Sequence, residues 1–210
     1  MLGNSCEQLS QGKTATQSST GWGGVAMRAV DGKADGNWNK RSCTHTKKST
    51  SAGPWWSVDL GSVHWILYVR VQNRVDCCRG RLTGWEVHLS NTPVTDAKSA
   101  NAGTLCSKRQ KFLALDKSGA ALVSCVRNGN GKIVPARHVT ITMPGQATLM
   151  TLCEVQVFGN PKRTLRGPNQ QSAKTTTRTA SASLSRGTRP TATGTTMANA
   201  RAAAGTPRLT

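Results

Sequence analysis

From residue 55 to residue 158 the chain repeatedly offers short runs of β-branched, aromatic and aliphatic residues, each broken by glycine, proline or asparagine. The runs fall at 55–60, 65–72, 84–89, 110–115, 133–134, 138–143 and 153–158. Several alternate with a period of two. In HVTITM (138–143), Val139 and Ile141 take one side and Thr140 and Thr142 the other, the pattern of a half-buried strand. AGP (52–54), NTP (91–93), NGNG (128–131) and PG (144–145) supply the turns between runs,. Helix signals are nearly absent: only VAMRAV (25–30), led by GWGG and closed by Asp31-Gly32, suits a short helix or turn. Many short strands with such turns predict an all-β fold, an antiparallel β-sandwich of jelly-roll type, over residues 1–159.

Residues 160–210 are a different material. They are built mainly from Thr, Ser, Ala, Gly, Pro and Arg, with isolated Leu and Met and no aromatic residue. Such a segment buries too little apolar surface to offset its ordering entropy, so a disordered tail is expected. Its composition also suits an O-glycosylated stalk or an arm that touches polyanions. The net charge of +19 depends on it: nine of the 28 basic residues and none of the nine acidic ones lie there. Residues 1–159 keep 19 basic against nine acidic residues, a balance of +10, which is basic without marking a specific nucleic-acid binder.

Seven cysteines (Cys6, Cys43, Cys77, Cys78, Cys106, Cys125 and Cys153) and only four histidines show no CxxC pair and no zinc-ligand spacing. A disulfide framework in an oxidising compartment accounts for them better. The start, MLGNSCEQLS, lacks the pattern of a signal peptide,, and no apolar stretch reaches membrane-spanning length. The expectation is a secreted domain whose leader is absent from this sequence. Nine carboxylates without a recognisable pair, triad or cofactor motif argue against an enzyme,.

The most unusual stretch is NRVDCCRGRL (73–82), with three arginines, one aspartate and adjacent cysteines. Neighbouring Cα atoms lie about 3.8 Å apart, short of the usual disulfide span of about 4.4–6.8 Å. Taken alone, the pair favours separate partners for Cys77 and Cys78 over a bond between them. Taken alone, too, Arg74 and Arg81 suit a solvated basic turn and His45 a structural histidine.

Seven stretches occur together, in order: KTATQSST (13–20), RAVDG (28–32), SCTHT (42–46), PWWSVDLG (54–61), NRVDCCRGRL (73–82) and VTITM with LCEVQVFG (139–143, 152–159). In these the chain resembles the F-type lectins, the fucose-binding fucolectins, a branch of the discoidin-like (F5/8 type C) sandwich. PWW-x-VDLG marks the broader sandwich; SCTH and RVDCCRGR are the specific pieces. The family's sugar motif is a His, a spacer, then R-x-D and, after four residues, a basic residue. Here it reads His45, Arg74, Asp76 and Arg81, with 28 residues from 46 to 73 as the spacer. That is about two more than the usual form, and the extra residues fall most simply in 46–53.

The resemblance implies disulfides Cys43–Cys153, Cys77–Cys78 and Cys106–Cys125, with Cys6 left over. In the chain-entropy view the long bridge contributes up to about 4.7 kcal/mol and the short one about 3 kcal/mol. It also implies a pocket for terminal L-fucose. Arg74 and Arg81 would donate to adjacent hydroxyls, His45 would donate or accept, and Asp76 would neutralise and orient both arginines. Cys77 and Cys78 would give a flat sulfur surface to the ring carbons. The sugar's methyl group would fall to an aromatic, Trp38 first and Trp22 second. A structural Ca²⁺ would be held by Asp31, Ser42 and Glu154 with carbonyls of Arg28, Lys33 and Cys153, oxygen donors that suit a hard cation. Weak single-site affinity further implies a homo-oligomer, with a trimer the form the resemblance suggests, acting on fucosylated glycans in agglutination or innate recognition. A discoidin-type module for anionic membranes is the alternative, and it needs apolar loop tips. Another is a sugar-binding module of a larger glycan-processing protein.

Overall fold

In the computed structural model, residues 6–110, 118–126 and 133–161 are described. The expected tail lies outside them except for its first two residues, as does most of the run at 110–115. In chain order the strands are β1 (Glu7–Gln8), β2 (Thr14–Gln17), β3 (Trp55–Gln72), β4 (Trp85–Ser90), β5 (Thr104–Gln110), β6 (Ala120–Ser124), β7 (Val134–Thr142) and β8 (Glu154–Pro161). One short helix, α1 (Ala97–Asn101), and 3-10 turns at Ala26–Val30, Trp38–Lys40 and Arg79–Arg81 complete the described elements. All the strand pairings are antiparallel.

The fold is organised on β3. The runs at 55–60 and 65–72 are expected as two strands; they form one strand of 18 residues with an irregularity between Asp59 and His64. Gly61 takes φ 84° at that corner, and its N–H donates to Asp59 at 2.8 Å. The same carboxylate receives Nε and Nη2 of Arg137 at 2.7 and 2.8 Å, which clamps the corner to β7. A glycine and an Asp–Arg fork thus turn what reads as a break into a bend. Along one edge β3 pairs first with β7 and then with β6; along the other, first with β2 and then with β8. β7 continues to β4 and β5, and β8 to β1. The two groupings share β3 and form the β-sandwich.

One buried apolar cluster lies between them, and strand alternation delivers its members. Trp85, Val87 and Leu89 come from β4, Val139 and Ile141 from β7, and Val155 and Val157 from β8. Trp56, Val58, Ile66, Val69 and Val71 come from β3. Each fully buried side chain of this size contributes about 1.5–3 kcal/mol. Ser57, Thr140 and Thr142 are buried as well. Ser57 and Thr140 bond each other at 2.9 Å, and Thr142 donates to Asn101 of α1 at 2.9 Å.

Three disulfides are present: Cys43–Cys153, Cys106–Cys125 and Cys77–Cys78, the last with Cα atoms 3.7 Å apart. The preference of the isolated cysteine pair for separate partners is therefore corrected: the two sulfurs bond to each other. Cys6 is free and exposed, its Sγ 3.3 Å from the Tyr68 hydroxyl. Among the described residues no helix is long and apolar enough to cross a membrane.

Candidate functional site

The loop 73–82 leaves directly from the end of β3 and is fixed at both ends. Asn73 is fully buried. Its Oδ1 accepts from the Arg74 N–H at 2.8 Å and its Nδ2 donates to the Arg79 carbonyl at 3.0 Å, so one side chain closes the loop on itself. At the exit, Leu82 is buried in the core. In between, the Val75 N–H donates to the Gly36 carbonyl at 2.8 Å. A Cβ on Gly36 would lie 2.8 Å from the Asn73 carbonyl oxygen and 2.7 Å from Val75. Glycine there lets the 33–38 loop lie against the site loop, which brings Trp38 to it.

His45 is set by its neighbours. Thr44 and Thr46 form a ladder with 150–152 in which each threonine uses both backbone and side chain. The Thr44 N–H donates to Leu152 at 2.7 Å and the Thr46 N–H to Met150 at 3.0 Å. The hydroxyls of Thr44 and Thr46 accept in return from Leu152 and Met150 at 3.0 and 2.9 Å. The Cys43–Cys153 bridge locks the start of this ladder. On the other side the His45 N–H donates to Gly24 at 2.9 Å and its carbonyl accepts from Gly21 at 2.7 Å. A Cβ on Gly24 would sit 2.5 Å from the His45 nitrogen, so the GWGG turn can approach only without a side chain there.

The His45 ring is buried, with 4% exposure. Its Nδ1 lies 2.6 Å from the Thr46 carbonyl oxygen. A carbonyl only accepts, so Nδ1 carries the proton and Nε2 is left as an acceptor. Burial, followed by the charges of Arg81 and Arg74, holds its pKa below the ordinary 6.5. The imidazole is therefore neutral at pH 7.

Arg74 donates from Nε and Nη2 to the two oxygens of Asp76, both at 2.9 Å. This fork uses two of its five N–H donors and leaves three. Those bonds pull the Asp76 pKa down to about 2. Asp76 Oδ1 also accepts from the Trp38 N–H at 3.2 Å. The expectation that Asp76 orients both arginines is corrected: it holds Arg74 and Trp38, while Arg81 belongs to the 3-10 turn Arg79–Arg81, its N–H donating to Cys78 at 3.0 Å. Trp38 stands amid the cluster, with the Arg74 guanidinium carbon 5.1 Å and that of Arg28 5.7 Å from its ring centroid, within cation–π range,. Its ring meets that of His45 edge-on at 5.6 Å. Cys78 adopts φ 62°. Trp22, at the tip of GWGG, is 86% exposed rather than packed in the core.

The proposed metal ligands lie around a different feature. Glu154 is fully buried; its carboxylate makes no hydrogen bond of ordinary geometry, though the Gly32 backbone N–H interacts with it. Burial and the nearby charge of Asp31 push its pKa up to about 8. Asp31 Oδ1 accepts from the Lys33 N–H at 2.9 Å, and the buried Ser42 hydroxyl bonds the Asp35 carbonyl. The Cys43 carbonyl accepts from Arg28 Nη1 at 3.3 Å, next to Ser42. Cys153 is bonded to Cys43 and adjoins Glu154. Among the described residues no three His, Cys, Asp or Glu side chains gather as a metal cluster. A buried carboxylate without a hydrogen bond of ordinary geometry, beside a second carboxylate, fits a cation completed by hydroxyl and carbonyl oxygens,.

The residues that sequence reasoning missed are Asn73, Thr44, Thr46 and the two glycines Gly24 and Gly36. The alternation around His45 in SCTHT was the available signal for the threonines; nothing local marks Gly36.

Comparisons with known proteins bear on the fold and the family. A family described as NedA-like, galactose-binding domain, of the F5/8 type C group, matches residues 28–115. Fucolectin-5 of Anguilla japonica is 31% identical over 152 residues, covering 68% of this chain and 71% of that protein. An F-lectin (fucolectin) from the serum of the striped bass, Morone saxatilis, has a TM-score of 0.63 at 31% identity, over 75% of this chain and 50% of that one. The lectin domain of lectinolysin, solved with Lewis B antigen, has a TM-score of 0.57 at 34% identity, over 73% of this chain and 97% of its own. The chain spans less than two thirds of the first curated relatives it matches, 29% and 65% of their lengths. Fold and matched family define an F5/8 type C-like β-sandwich. Within that class, the chain belongs to the F-type lectins, the fucolectins.

Proposed function

We propose that this chain is a lectin that binds terminal L-fucose on glycans through His45, Arg74 and Arg81. The observation that carries the reading is the Asp76–Arg74 fork seated against Trp38 and His45. It fixes a guanidinium with three donors still free beside a neutral imidazole acceptor. Vicinal sugar hydroxyls both donate and accept, and a planar donor next to a ring acceptor matches that pattern without ordering cost at binding. The Cys77–Cys78 bond offers an apolar face for the ring carbons. Trp38, with Trp22 as second candidate, offers an aromatic surface for the methyl group.

Calcium would be held by Asp31, Ser42 and Glu154 with carbonyls of Arg28, Lys33 and Cys153. When bound it would supply the positive charge that lets Glu154 give up its proton beside Asp31. Its role is structural, because Glu154 opens β8 and Asp31 follows the turn Ala26–Val30. The function is binding and not catalysis, a reading supported by relatives named as lectins. Secretion, homo-oligomerisation and a role in agglutination or innate recognition belong to the same proposal. The relative from fish serum and the three disulfides support secretion,. A glycan array, run with and without chelator, tests the reading. Selective retention of fucosylated glycans is expected, and no preference for them sinks it.

One observation favours a second reading, the anionic-membrane module. Trp22, Val25 and Met27 form an exposed apolar tip next to His45. Co-sedimentation with phosphatidylserine liposomes separates the two: retention that L-fucose does not compete supports the membrane.

A further inference from the structure

We infer that the pocket favours fucosylated glycans bearing an acidic group, a sulfate ester or a carboxylate, on the sugar next to the fucose, and that Lys47 and Lys48 receive it. This rests on the fucose reading above and adds the chemistry of the neighbouring sugar. Three segments meet around His45: residues 17–28, 38–53 and 73–82. Together they carry eight basic residues and a single carboxylate, Asp76, and that carboxylate is already held by Arg74.

Lys47 and Lys48 follow His45 after one intervening residue, Thr46, in the stretch where the spacer is longest relative to the family's form. Their backbone is pinned on every side. The Thr46 N–H donates to Met150 at 3.0 Å and the Ser49 N–H to Thr148 at 2.6 Å. The Lys47 N–H donates to the Ser19 hydroxyl at 3.0 Å. Both lysines are exposed, and neither ammonium has an acidic partner among the described residues. Two unneutralised cations on a rigid rim attract an anion placed within a Debye length, about 8 Å at physiological ionic strength. For this, the sugar next to the fucose must lie at that rim, beside the residues that follow His45. A purely solvated lysine pair would make no such distinction between neutral and acidic ligands.

The test is calorimetric titration of the full chain at about 0.15 M salt. The ligands are free L-fucose, a neutral fucosylated trisaccharide, and the same trisaccharide carrying either a sulfate or a sialic acid on the adjoining sugar. Acidic forms are expected to bind about five- to tenfold tighter than the neutral one, and raising salt to about 1 M should erase the advantage. In the double variant Lys47→Ala/Lys48→Ala the advantage should vanish while free fucose binds as before. An advantage for sulfate alone, or for carboxylate alone, supports the inference and names the source. Equal affinity for neutral and acidic forms overturns it, as does an advantage that survives in the double variant. Equally tight binding of a sulfated polysaccharide without fucose also overturns it. Failure of free fucose to bind is a different result, and it strikes the proposed function itself.

Discussion

The domain has two polar centres, and it treats their charges in opposite ways. Around Arg74 the charged groups satisfy one another: Asp76 takes two guanidinium bonds and a backbone N–H, Trp38 faces the cation, and His45 stays neutral. Around Glu154 the balance is poorer. Its fully buried carboxyl group makes no hydrogen bond of ordinary geometry, interacts with the Gly32 backbone N–H and faces the Asp31 carboxylate. The first centre is complete before any ligand arrives and spends its remaining donors on one. The second cannot hold its charge as it stands: a buried unpaired charge is costly, and with a pKa of about 8 Glu154 keeps its proton at pH 7,. Preorganised donors and a buried carboxyl group proposed to wait for a cation are different uses of the same residue types.

The largest effect should come from breaking the first centre. Arg74→Ala removes the ligand's donors and leaves Asp76 without its partner. Charge-assisted hydrogen bonds contribute about 1.5–3 kcal/mol each, and tenfold in affinity is about 1.4 kcal/mol. Loss of at least about 100-fold in fucose affinity is expected by titration calorimetry. The thermal transition should barely move; a large drop would mean that the residue serves the fold instead.

Breaking the second centre should do the reverse, costing stability before affinity. At a free calcium concentration about 100 times its Kd, the ion stabilises by about 2.7 kcal/mol. For a domain of this size that is a shift of about 5–10 °C in the melting temperature on adding chelator. Glu154→Gln should abolish the shift, because the neutral amide removes both the ligand charge and the repulsion from Asp31. Differential scanning fluorimetry with and without chelator reads both results. A wild-type melting curve indifferent to chelator removes calcium from the description.

These two centres were not equally legible in the sequence. The β-class and most long strands were, since alternation at 138–143 and the breakers between runs follow directly from strand geometry. β2 and β6 were not. TATQ is polar, and AALVS leaves Leu122 exposed while alanine fills its inner positions. The corner at Gly61 reads as a strand break because the clamp that keeps β3 continuous comes from Arg137, 78 residues away in sequence. The same holds within the site. The residue types of RVDCCRGR announce a polar loop, but the partnership of Asp76 with Trp38 spans 38 residues. The bond between Cys77 and Cys78 contradicts what adjacent cysteines suggest alone. Only resemblance brought those pieces together before the structure did.

A smaller effect sharpens the electrostatic side of the comparison. Neutral His45 offers Nε2 as an acceptor, and a second proton abolishes that role. Its folded pKa lies below the ordinary 6.5, so the unfolded chain binds the proton first as pH falls. Stability and affinity should both decline in the window below pH 6.5, and stability should level off once the folded ring titrates as well. Fucose titrations at successive pH values check this. His45→Gln keeps an amide donor and acceptor and should flatten the profile at reduced affinity. An unchanged pH dependence in that variant assigns the titration to another group.

The smallest expected effect bears on the apolar face of the first centre. Burying about 40 Å² of sulfur surface against the sugar, at about 25 cal/mol per Å², is about 1 kcal/mol, or about fivefold in affinity. Replacing both Cys77 and Cys78 with serine removes that surface and also frees the loop that places Arg81 three residues beyond the bond. The two causes separate by ligand. Loss of contact alone should weaken L-fucose and a 6-deoxy-free analogue such as L-galactose by the same factor, since both present the same ring carbons. Loss of Arg81's placement should weaken every ligand far more than fivefold. A change of about fivefold, shared by both sugars, fits the sulfur face as a contact. A change like that of Arg74→Ala makes the bond part of the frame instead, and Asn73, which closes the loop onto Arg79, is then not sufficient to hold it.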